Sequence, residues 1–75
     1  MKDSDVQAKL NQLTRIANEL AEEAKRRYGA TGELFFEAEG QFHFMKKHQG
    51  ETAGERHKGI VLSSDGFAKM DCGAW

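Results

Sequence analysis

About one third of the chain, residues 5–28, is a single amphipathic segment, and it limits the available folds more than any other feature. Val6, Leu10, Leu13, Ala17, Leu20 and Ala24 recur at alternating steps of four and three, and Ile16, Ala21 and Tyr28 widen the stripe. Ser4 suits the N-cap position, with Gln7 three residues later completing a capping box. Asp3 and Asp5 sit at the positive end of the helix dipole and Lys25, Arg26 and Arg27 at its negative end. Gly29 then supplies the residue at which a helix turns off. The spacing predicts a helix over 5–28. A repeat of 3.5 residues also describes a coiled-coil seam, but three heptads with alanine at three stripe positions make a weak one. The stripe is therefore expected to pack on the chain's own sheet.

After Gly29 the period changes to two. Over 33–47, Leu34, Phe36, Ala38, Phe42 and Phe44 share one parity, while Glu37, Glu39, Gln41, His43 and Lys47 dominate the other. Fifteen residues is long for one strand. That length favours a hairpin around Ala38-Glu39-Gly40, pairing Phe36 with Phe42 and Leu34 with Phe44, over one strand bent at Gly40. Residues 48–58 hold two glycines and almost no apolar matter and read as a loop. Ile60-Val61-Leu62 begins a further strand, Ser63-Ser64-Asp65-Gly66 is a turn signal, and 67–72 reads as its return. Even parity then puts Ile60, Leu62, Met70 and Cys72 with Leu34, Phe36, Phe42 and Phe44 on a face covered by the helix. Residues 1–75 are expected to form one small α+β domain: a long N-terminal helix on one face of a three- or four-stranded antiparallel sheet.

Size sharpens this expectation. A compact chain of 8.4 kDa exposes about 4,600 Å², and at this size the gain from burial and the cost of ordering the chain cancel. One helix cannot cover both faces of a sheet. The opposite face, holding Phe35, Met45, Val61 and Phe67 among charges, is therefore the expected contact surface. A homodimer through that outer face, or through an exposed edge strand, would satisfy groups otherwise left open.

Catalytic and ligand-binding chemistry finds little footing. His43, His48, His57 and Cys72 are zinc-ligand types, but no C-x₂-C, H-x₃-H or H-E-x-x-H spacing joins them, so no metal or other cofactor is expected. Cys72 follows no strand-to-helix turn that would lower its pKa, and Ser63-Ser64 reads as a turn, so the chain is expected not to be an enzyme. Gly29-Ala30-Thr31-Gly32 follows a helix instead of opening one, which does not suit a phosphate loop. Apolar runs are far too short to span a bilayer, and the opening Met1-Lys2-Asp3-Ser4-Asp5 is unlike a signal peptide. The lone cysteine suits a reducing, cytoplasmic compartment.

Charge separates the remaining classes. The net charge is −1, with no basic excess in either half, whereas nucleic-acid binders gain most of their non-specific affinity from phosphate neutralisation. A local alternative survives: Lys46, Lys47, His48, Arg56, His57 and Lys58 bracket one loop, and Phe35, Phe42, Phe44 and Phe67 lie on neighbouring strands where bases could stack. Glu51 and Glu55 offset part of that cluster. The leading expectation is a small non-catalytic regulator or inhibitor that binds another protein, the type common among bacterial and phage inhibitors of host defence. Its expected contacts are Phe35, Met45, Lys47, Arg56, His57, Lys58, Val61 and Phe67.

Overall fold

A computed structural model describes residues 1–37, 40–47 and 52–65. Helix α1 spans Asp3–Tyr28 and passes through a single 3₁₀ turn, Gly29–Thr31, into strand β1, Glu33–Phe36. Strands β2, Phe42–Met45, and β3, Ile60–Ser63, follow, with a short helix α2, Ala53–His57, between them. The sheet is antiparallel in the order β1-β2-β3, so β2 is central. The expected α+β architecture of a long helix on an antiparallel sheet is the one observed. The expected return strand 67–72, with Phe67, Met70 and Cys72, lies outside the described residues.

Helix α1 starts two residues earlier than its spacing predicts. Ser4 sits inside the first turn, and the Asp5 carboxylate accepts the Lys2 backbone N–H at 3.0 Å in its place. A carboxylate is the stronger acceptor and also complements the dipole. At the other end Gly29 takes a φ of 76° and donates its N–H to the Lys25 carbonyl. Gly32 then allows β1 to pass close to the helix: a Cβ there would stand 2.1 Å from the Ala24 carbonyl oxygen. That close approach explains why Ala24 is fully buried.

The hairpin has the expected register, Leu34 opposite Phe44 and Phe36 opposite Phe42, with Gly40 at a φ of 89°. On the β2–β3 side the register shifts. Phe44 faces Leu62, but Met45 faces Ile60, so Val61 is the extra residue of a β-bulge. The bulge reverses the parity of Ile60. Leu34, Phe36, Phe42, Phe44 and Leu62 share the α1 side, whereas Ile60 joins Phe35, His43 and Met45 on the other, correcting its expected place under the helix.

Among the described residues, the ring and hydrogen-bond contacts that hold α1 to the sheet come from its C-terminal part. Tyr28 meets the Phe44 ring edge-on at 6.0 Å between centroids, and the Arg27 guanidinium lies 5.4 Å from the same ring. Lys25 Nζ donates to the Gly32 carbonyl at 3.0 Å. Farther toward the N-terminus the stripe is open to solvent, with Leu10 and Leu13 52% and 59% exposed. The expectation that Val6, Leu10 and Leu13 are core side chains is therefore overturned. The helix is about 39 Å long at 1.5 Å per residue, while four-residue strands support only part of that length.

Candidate functional site

The second sheet face is not open in the way the parity alone suggests. Met45 is the most deeply buried large side chain, 1% exposed, and His43 is 5% exposed. Met45 is thus a floor residue and not the surface contact expected of it. Opposite Ile60 at the bulge, it shares one cleft of about 180 Å³ with Phe35, Glu37, His43, Ile60 and the α2 residues Arg56 and His57.

Residues 52–58 were expected to be part of a loop, and they carry α2 because of a local capping signal. Thr52-Ala53-Gly54-Glu55 has the S/T-x-x-E pattern of a capping box, and Thr52 Oγ1 accepts the Glu55 N–H at 3.2 Å. Lys58 N–H donates to the Gly54 carbonyl and closes the turn. The chain then presses against β2: Lys46 N–H donates to the Gly59 carbonyl at 2.9 Å, and a Cβ on Gly59 would lie 1.8 Å from the Lys47 carbonyl oxygen. This backbone contact brings Lys46 and Lys47 beside Lys58, two clusters eleven residues apart in sequence.

His43 is held at both ring nitrogens. Nδ1 is 2.6 Å from Ser63 Oγ, its cross-strand neighbour, and Nε2 is 2.5 Å from Glu37 Oε2. With Nε2 donating to the carboxylate, Nδ1 accepts the Ser63 hydroxyl proton, an order that resembles a nucleophile, base and orienting acid. Acyl transfer would also need N–H groups facing the reacting oxygen. The N–H following Ser63, that of Ser64, is donated to the Phe42 carbonyl at 2.9 Å. The chain of three is best read as full hydrogen-bond satisfaction of a buried imidazole between β2 and β3. Among the described residues no group of three or more His, Cys, Asp and Glu is placed to hold a metal ion.

Of the expected contact residues, Phe35, Met45, Arg56 and His57 line the cleft. Lys47 and Lys58 are exposed where their backbones adjoin, Val61 is 42% exposed at the bulge, and Phe67 lies outside the described residues. Glu37, His43 and Ile60 line the cleft without having been expected there. Glu37 and His43 were legible as same-parity neighbours of Phe35 and Met45; the change at Ile60 depends on a bulge that no single residue type announces.

The aromatic residues are divided between the two faces. Phe35 lies parallel to the His43 ring, 6.3 Å away, on the α2 side. Phe36 and Phe42 stack at 4.4 Å on the α1 side, where Phe44 also sits. No described helix is long and apolar enough to cross a membrane. Compared with family models, curated proteins and solved structures, the chain matches none.

Proposed function

We propose that this chain is a non-catalytic protein-binding regulator that acts by covering a surface of its partner, with the α2 side of the sheet as the contact. The observation that carries the reading is the cleft itself. Phe35 and Ile60 give it apolar walls over the Met45 floor, Arg56 and His57 join its lining, and Lys47 and Lys58 are exposed where their backbones adjoin. An acidic segment of a folded protein carrying one apolar side chain complements such a surface in both charge and shape. The proposal includes a cytoplasmic setting, which suits a lone cysteine, and a role as a small inhibitor of the bacterial or phage type.

The alternative is a nucleic-acid contact through the same basic residues. The division of the aromatics favours protein: Phe42 and Phe44 face α1 and do not join Phe35 in one stacking platform. Glu37 also places a carboxylate inside the cleft. The test is affinity capture from lysate with the full chain, with and without nuclease, beside a folded Arg56→Glu, Lys58→Glu variant. The reading expects a discrete protein that survives nuclease and is lost with the variant. Loss of every captured species on nuclease treatment would transfer the surface to nucleic acid.

A further inference from the structure

The α1 stripe presents a different surface from the cleft. Val6, Leu10, Leu13, Ile16 and Leu20 are 41–59% exposed along one side of the helix. At its Leu20 end the stripe reaches a mainly apolar groove of about 240 Å³ lined by Leu34, Phe42, Phe44 and Leu62, with Glu23 and Arg27 also in its lining. A standard stable interface removes about 800 Å² from each partner, and five apolar side chains exposed along one side of a helix supply the centre of one.

We infer that this stripe is a homodimer interface, in which the α1 helices of two copies lie side by side and antiparallel. The sequence of the stripe selects the occupant. Its four-three spacing is the coiled-coil repeat, with Leu10 and Ala17 in one core position and Val6, Leu13 and Leu20 in the other. With a two-fold axis near residue 15, Leu10 faces the second copy's Leu20, and Leu13 faces the second copy's Ala17. Each small side chain then meets a large one. Lys9, Ile16 and Glu23 are spaced by seven along one flank, so the same axis sets Ile16 against Ile16, between two places where Lys9 comes beside the second copy's Glu23, whose carboxylate already accepts hydrogen bonds from Arg26 and Arg27 of its own helix. A parallel pair would put Ala17 against Ala17 and leave Ile16 without its counterpart, so that the packing is unmatched. Antiparallel pairing also carries the overhanging Val6 end of each helix toward the groove of the other copy. The contact is isologous and closes at two chains.

Two measurements on the full chain test this. Sedimentation equilibrium from 1 to 100 µM is expected to show a species of twice the 8.4 kDa chain mass. Leu13→Asp is expected to raise its dissociation constant roughly 30-fold or more. Leu13 is 59% exposed, so the variant is expected to stay folded by circular dichroism, and Leu10→Asp, at a position 52% exposed, is a second variant expected to weaken the dimer. For orientation, Lys9→Cys and Glu23→Cys chains, each in a Cys72→Ser background, are mixed and oxidised. The heterologous 9–23 cross-link is expected to exceed both homologous ones. A monomer at every concentration would overturn the proposal and leave the stripe to a foreign partner. A dimer indifferent to Leu13→Asp, or a dominant 9–9 cross-link, would overturn it as well.

Discussion

Met45 stands on the central strand opposite Ile60 and is 1% exposed, so truncating it removes buried volume that the surroundings cannot refill. Met45→Ala is expected to lower unfolding stability by about 2–5 kcal/mol, a large part of the margin of so small a chain, measurable by urea denaturation. Glu23 sets a second expectation at this scale. Hydrogen bonds from Arg26 and then Arg27, the latter at 2.6 Å from Arg27 Nε, lower its carboxyl from 4.5 to about 2. A folded-state pKa below the unfolded one stabilises above the unfolded value, and the contribution disappears as pH falls toward the folded value. Wild type and Glu23→Gln should therefore differ most above about pH 4.5 and converge near pH 2. High salt should shrink the difference, because all three side chains are at the surface. Neither result was fully legible in the sequence. The Glu23, Arg26 and Arg27 spacing is visible on a helix, whereas the burial of Met45 depends on which elements reach its side of the sheet.

At the scale of elements, the helix and the hairpin were readable because each carries its own period and its own end signals. The hairpin register followed from Gly40 and the aromatic parity once strand length had favoured a hairpin over one bent strand. How far the sheet supports the helix was not readable, since amphipathicity shows that a face will be covered but not by what. An open stripe and a core stripe have the same spacing. The structure therefore reverses one energetic expectation. Leu13→Ala, which should cost about 2–5 kcal/mol in a core, is expected to cost no more than about 0.5 kcal/mol in the dilute monomer, as at other exposed sites. Thr52→Ala runs the other way. It removes the hydroxyl that accepts the Glu55 N–H, is expected to cost about 0.5–2 kcal/mol, and should loosen the hold of α2 on Arg56 and His57. Thermal melts of the two variants at a dilution where the chain is monomeric distinguish these outcomes. The Thr52-x-x-Glu55 signal was present in the sequence, hidden by the two glycines that made the segment read as a loop.

On the scale of the whole molecule, the described residues form a small interior around Ala24, Phe44 and Met45 and present two surfaces of different character. One is the cleft on the α2 side, with Arg56 and His57 in its lining; the other is the apolar stripe and groove on the α1 side. A net charge of −1 and the carboxylates near the rim set the expectation for nucleic acid: no measurable oligonucleotide binding at physiological salt. Four phosphate contacts from Lys46, Lys47, Arg56 and Lys58 would instead give a log–log salt slope of about −3 to −4, which a fluorescence anisotropy titration would reveal. The division between interior and surfaces is tested most directly by native-state amide hydrogen exchange at a dilution where the chain is monomeric. Slowest exchange is expected in β2, at His43, Phe44 and Met45, with residues 6–13 of α1 exchanging far faster, because Val6, Leu10 and Leu13 are largely exposed. Protection of residues 6–13 equal to that of β2 in the monomer would contradict the account, since the stripe would then be covered within a single chain.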